Sequence, residues 1–156
     1  MDNHHSTSLM LAAGGGHEAV VQLLLAHNAE ADSKGRYKRA PLSYAAAGGH
    51  EAVVQLLLAH GVEADLKDGD KRTPLSHAAE RGSEAVVQLL LTHNTEVNSE
   101  GQYKRTPLSY AAEEGHEAVV QLLLARNAEA DSKNKYNQTP LLYAVKGRHK
   151  AVVQLL

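Results

Sequence analysis

The stretch Thr73-Pro74-Leu75-Ser76-His77-Ala78-Ala79-Glu80-Arg81-Gly82-Ser83-Glu84-Ala85-Val86-Val87-Gln88-Leu89-Leu90-Leu91-Thr92 reads as two short helices separated by a break. Thr73 is an N-cap residue, and Pro74 follows at the first helical position, where a missing N–H costs nothing. Gly82 ends the first helix. Ser83 is expected to cap the second, Glu84 to Thr92, with Glu84 near the positive end of the helix dipole. The apolar residues of that second helix cover more than one face, so it needs neighbours on both sides.

The same words recur along the chain. Glu-Ala-Val-Val-Gln-Leu-Leu-Leu starts at Glu18, Glu51, Glu84 and Glu117, each 33 residues after the last, and returns from Lys150 without the leading Glu. Thr7-Ser8-Leu9, Ala40-Pro41-Leu42, Thr73-Pro74-Leu75, Thr106-Pro107-Leu108 and Thr139-Pro140-Leu141 keep the same step. Asn28, Gly61, Asn94 and Asn127 follow the second helices, and these residue types best tolerate the left-handed conformation that ends a helix. One helix pair cannot bury such faces alone, so the units are expected to stack as a solenoid.

Composition narrows the function classes. The chain has 156 residues, 43% of them hydrophobic, with no Phe, Trp or Cys. Its core must be Leu, Val and Ala, and disulfides, thiolate zinc sites and cysteine nucleophiles are excluded. A net charge of −2 leaves no global attraction for a polyanion. No apolar run approaches a membrane span. Met1–His5 shows no basic segment leading into an apolar stretch, so no targeting signal is expected, and the expected location is cytoplasmic or nuclear.

The pattern Thr-Pro-Leu-x-x-Ala-Ala-x-x-Gly-His-x-x-x-Val-x-x-Leu-Leu-Leu at a 33-residue step resembles the ankyrin repeat. The wording Thr-Pro-Leu-Ser-Tyr-Ala-Ala followed by Gly-His-Glu-Ala-Val-Val also resembles arrays in large fungal NOD-like (STAND) receptor proteins. The resemblance implies an all-α solenoid of helix-turn-helix units with short β-hairpin fingers. It implies one domain over 1–156, in units 2–34, 35–67, 68–100, 101–133 and a truncated 134–156. It implies a protein-interaction module, with no enzyme activity, whose fingers and first helices form a concave binding surface.

Departures from the pattern fall at the ends. Ser8 stands where Pro is usual, and Gly14-Gly15-Gly16 is expected to let the first unit fray, since a helical Gly costs about 1 kcal/mol against Ala. Arg148 stands where Gly16, Gly49, Gly82 and Gly115 stand in the other units. Val152, Val153, Leu155 and Leu156 are expected on an open face. Two readings follow: a piece of a longer array, serving as a spacer or sensor arm in a receptor and able to self-associate end to end, or a last helix that frays.

Candidate contact residues come from comparing the units. Units 35–67 and 101–133 agree at most positions but differ at Arg36/Gln102, Ala47/Glu113 and Gly48/Glu114, as either a varying contact surface or drift would produce. The tyrosines occupy two places only: Tyr37, Tyr103 and Tyr136 in the finger, and Tyr44, Tyr110 and Tyr143 in the first helix. Asp70 and His77 replace both in the third unit. They form either an aromatic binding strip or an internal stack between neighbouring units. The Lys-Arg pairs at 38–39, 71–72 and 104–105 line the fingers and suit an acidic partner, unless they merely pair with nearby carboxylates. Tyr37, Tyr103 and Tyr136 are expected as anchors, with Arg39, Arg72 and Arg105 in charge-assisted contacts. Glu80, Arg81, Glu113 and Glu114 would tune specificity, and Gln138 joins Tyr136 in the last finger.

Catalytic, metal and cofactor sites are not expected. There is no Gly-x-Ser-x-Gly elbow, phosphate loop or dinucleotide fingerprint. His17, His50, His116 and His149 recur one unit apart, too far to share a metal, and are expected to brace the turn between helices. His4-His5 would bind metal only loosely. Nucleic acid is disfavoured by the carboxylates among the finger cations, including Asp32, Asp65, Asp68, Asp70 and Asp131.

Overall fold

The computed structural model describes residues 7–156 and contains ten α-helices and no β-strand among them. The helices are α1 (Ser8–Gly14), α2 (Glu18–Ala26), α3 (Pro41–Gly48), α4 (Glu51–Ala59), α5 (Pro74–Arg81), α6 (Glu84–Thr92), α7 (Pro107–Glu114), α8 (Glu117–Ala125), α9 (Pro140–Gly147) and α10 (Lys150–Leu155). His4 and His5 lie outside the described residues.

Helix boundaries follow from a few side chains. The hydroxyls of Thr7, Thr73, Thr106 and Thr139 accept the N–H three residues on. Ala40 has no group to offer, and α3 starts on Pro41 alone. Gly49, Gly82 and Gly115 close their helices with φ of 73°, 78° and 77°, a conformation open to Gly without steric cost. Ser83 takes the N-cap position of α6, yet its hydroxyl makes no capping bond. Its ψ of 96°, against 164° at Thr73, turns the side chain away from the first-turn N–H groups.

Packing alternates by row. The first helices α1, α3, α5, α7 and α9 lie closely against one another, and the second helices more loosely. Side-chain size is the reason. Ala12, Ala13, Ala45, Ala46, Ala78, Ala79, Ala111 and Ala112 are all buried in the first row, whereas Val53, Val54, Leu57, Val86, Val87, Leu90, Val119, Val120 and Leu123 fill the space around the second. Layers closer on one side than the other make the stack concave toward the first helices and their fingers.

Polar bonds tie each layer to the one before. His50 Nε2 donates to Gly14 O (2.9 Å), His116 Nε2 to Glu80 O (3.0 Å) and His149 Nε2 to Glu113 O (2.8 Å). These histidines therefore brace the preceding layer, not only their own turn. The N–H groups of Glu63, Glu96 and Glu129 likewise donate to Asp32, Asp65 and Asn98.

The apolar end differs from expectation. Val152 is buried and Val153, Leu155 and Leu156 are half-buried, because α10 packs back on α8 and α9. Leu141, Leu142 and Val145 of α9 are the exposed ones. Arg148 caps α9 at φ 60°, the left-handed conformation that Gly supplies elsewhere. For a side chain with a Cβ this costs about 1 kcal/mol. Arg148→Gly is therefore expected to raise stability by up to about 0.5 kcal/mol, after the larger chain entropy of Gly is offset. Urea denaturation would show it as a shifted midpoint with an unchanged slope.

Candidate protein-interaction surface

Four fingers lead into α3, α5, α7 and α9, and each is a tight turn whose first residue donates to the carbonyl four residues on. Gly35 N donates to Arg39 O, Asp68 N to Arg72 O, Gly101 N to Arg105 O and Asn134 N to Gln138 O. They are too short for a β-ladder, which is why the expected hairpins contain no strand. Neighbouring fingers are joined as well: Gly69 N donates to Tyr37 O (2.6 Å), Gln102 N to Asp70 O (2.7 Å) and Lys135 N to Tyr103 O (2.8 Å).

The turns come in two alternating forms. In the first and third fingers, two consecutive residues are left-handed: Tyr37 and Lys38 (φ 59° and 56°), then Tyr103 and Lys104 (59° and 60°). The second and fourth replace the opening Gly by Asp68 and Asn134. Asp68 Oδ1 accepts from Asp70 N and Arg72 N, both 2.9 Å. Asn134 Oδ1 accepts from Tyr136 N (2.8 Å) and Gln138 N (2.9 Å). This clamp leaves only Lys71 and Asn137 left-handed. Asp and Asn make such bonds to nearby backbone readily.

Turn geometry sends the two cations of each Lys-Arg pair opposite ways. The left-handed Lys38, Lys71 and Lys104 are exposed. The following Arg39, Arg72 and Arg105 turn onto the first helices. Arg72 pairs with Glu80 at 2.6 Å, and Arg105 pairs with Glu113. Arg39 stacks over Tyr44 at 5.2 Å. Tyr110 lies between Arg72 (4.3 Å) and Arg105 (4.1 Å), and Arg105 also covers Tyr143 (4.5 Å). The Tyr143 hydroxyl accepts from Asn134 Nδ2 at 2.8 Å and donates to Gln138 Oε1 at 3.2 Å. The helical tyrosines are thus packed among arginines of the array. Burial pushes the Tyr110 hydroxyl pKa up, against the pull of Arg72 and Arg105.

The model for ankyrin repeats matches residues 1–68, 60–134 and 96–156, which together span the chain. The chain belongs to the ankyrin repeat family. No curated protein matches it.

In this ankyrin array the finger tyrosines, unlike the helical ones, face water. Tyr37, Tyr103 and Tyr136 are 67%, 47% and 62% exposed. Tyr103 and Tyr136 form a tilted aromatic pair with centroids 5.8 Å apart, and the guanidinium of Arg36 lies 4.9 Å over Tyr37. Asp70 takes the place between them and is exposed. Glu80, Arg81 and Glu114 are exposed at the ends of α5 and α7, with Glu113 half-buried beside Glu114. The fingers and first-helix ends therefore form one continuous surface.

His77 is the exception among the helical positions. Its Nε2–H donates to Asp68 Oδ2 at 2.8 Å, with both side chains almost fully buried. Arg39 lies close by, its Nη2 3.5 Å from His77 Nδ1 and its Nε 3.8 Å from Asp68 Oδ2. Burial, then the fields of Arg72 and Arg39, hold His77 below its ordinary pKa despite the Asp68 bond. For Asp68, burial is outweighed by bonds from His77 and the Arg72 and Asp70 backbone, which hold its carboxyl low.

Sequence reasoning placed Asp68 only among the carboxylates between the finger cations and passed over Asn134. Their signal was the alternation Gly35, Asp68, Gly101, Asn134 at the 33-residue step. It also passed over an open groove of about 660 Å³ across the second, third and fourth fingers, lined in part by Lys67, Lys71, Lys104 and Lys135. No helix among the described residues is long and apolar enough to cross a membrane.

Proposed function

We propose that this chain is one ankyrin domain of five units that recognises a protein partner through its finger and first-helix surface. Ankyrin repeats serve generally as protein–protein interaction modules. The observation that carries the reading here is the split between the two tyrosine sets. Tyr44, Tyr110 and Tyr143 are stacked on arginines of the array, while Tyr37, Tyr103 and Tyr136 stand in water on a turn held rigid by inter-finger bonds. Exposed, preorganised aromatics make strong anchors because little entropy is lost on contact. Glu80, Arg81 and Glu114 would discriminate among partners at the edge. Cations along the fingers favour an acidic partner, and the interspersed carboxylates disfavour nucleic acid. The proposed setting is cytoplasmic or nuclear.

Capture from a cell lysate tests the reading. Tyr103→Asn/Tyr136→Ala is the suitable variant, because Asn tolerates the left-handed φ of Tyr103. A protein retained by the wild type and lost by the folded variant is the expected result. Equal recovery by both would refute the reading. The exposed Leu141, Leu142 and Val145 on α9 favour a second reading, a spacer arm that self-associates end to end. Sedimentation of the wild type and Val145→Lys tests it: a concentration-dependent assembly lost on substitution supports the spacer, and a monomer throughout rejects it.

A further inference from the structure

We propose that the groove across the second, third and fourth fingers binds an extended acidic segment of the partner, its carboxylates meeting Lys71 and Lys104. The inference rests on the recognition reading above and adds where the charge contacts lie. The arginines are already engaged: Arg72 with Glu80, Arg105 with Glu113, and Arg39 with the Asp68–His77 pair. Lys67, Lys71, Lys104 and Lys135, by contrast, are all exposed, line one groove, and form no ion pair among the described residues. Free ammonium groups can meet an incoming carboxylate without first giving up an internal partner.

Spacing selects the form of the ligand. Lys71 and Lys104 occupy equivalent places in successive layers, and packed helical layers are about 10 Å apart. A peptide extended in the polyproline II form advances about 3.1 Å per residue with about three residues per turn, so side chains at i and i+3 share one face and match that step. Asp70 and Glu100 lie in the same groove. An unbroken run of phosphates would meet them as like charges. A peptide with two uncharged residues between carboxylates would place neutral atoms there, with Tyr103 as an apolar wall.

Fluorescence anisotropy on the full chain tests this with a labelled heptapeptide, Glu-Gly-Ser-Glu-Gly-Ser-Glu, and its Gln counterpart. Lys71→Asn/Lys104→Asn is the informative variant, since Asn137 naturally fills the same left-handed place in the fourth finger. The wild type should bind the Glu peptide, lose affinity as salt rises, and bind the Gln peptide more weakly. The variant should bind the Glu peptide about fivefold to tenfold more weakly, the sum of two exposed ion pairs. The proposal is overturned by equal affinity in the variant, by equal binding of the Gln peptide, or by no binding at millimolar peptide. Tighter binding of an oligothymidylate of about ten nucleotides would also overturn it. If the lysine variant binds the captured partner with wild-type affinity while the tyrosine variant loses it, the groove proposal fails and the recognition reading stands.

Discussion

Asp68→Ala is expected to destabilise the array by about 3 kcal/mol, an effect expected when one member of a buried charged network is removed. One carboxylate satisfies two main-chain N–H groups of the second finger and the buried His77 ring, with Arg39 at its edge. Alanine would leave those donors, buried or part-buried, without their acceptor. Asp68→Asn should cost less, because Asn134 already clamps the fourth finger through the same Oδ1. It still loses the charge facing Arg39 and sets an amide N–H against His77 Nε2–H. Urea denaturation of both variants checks the order, wild type above Asn above Ala. Equal midpoints for Ala and wild type would refute the clamp.

The same cluster sets an acid dependence. His77 titrates below its ordinary 6.5 in the folded chain, so the unfolded chain takes up the proton first. Its contribution is fully present above pH 6.5 and is lost as pH falls through the lowered folded value. Asp68 is depressed below 3.8, so its contribution persists above 3.8 and disappears only in stronger acid. Stability should therefore fall as pH drops from about 6.5 toward the lowered folded value, and His77→Gln should flatten that slope. A wild-type slope unchanged by His77→Gln would contradict the assignment.

The second large effect is on recognition. Tyr103→Asn/Tyr136→Ala should weaken binding of the captured partner about a thousandfold, since each anchor of this kind contributes roughly 2 kcal/mol. Melting should change little, because both rings are exposed. Arg105→Ala should behave the opposite way. It removes the Glu113 pair and uncovers Tyr110 and Tyr143, so any loss of binding would come with a lower melting temperature. Calorimetric titration beside thermal denaturation separates the two patterns.

Features set by local rules were legible before the structure. The Thr-Pro starts, the left-handed Gly and Asn stops and the apolar second helices each depend on a few adjacent residues, and the 33-residue step repeats them. What escaped depends on partners far along the chain. His50 and Gly14 are bonded across 36 residues, and nothing in His-Glu-Ala-Val-Val indicates the layer behind. The Lys-Arg pairs looked like one basic strip. They divide because Lys takes the left-handed turn position and Arg the extended one, which sends their side chains to opposite sides. Ser83 has the right residue type for a cap, but the tight turn after Gly82 withholds the needed ψ. Val152 looked like an open-face residue because its contacts with neighbouring helices cannot be read from its own helix.

Hydrogen–deuterium exchange of the array, free and with its captured partner, tests the central claim most directly. The account predicts that protection on binding concentrates in the finger segments 36–38, 69–71, 102–104 and 135–137, with smaller changes at the ends of α5 and α7. Protection confined to the second helices, or to the α9 face bearing Leu141 and Val145, would contradict it.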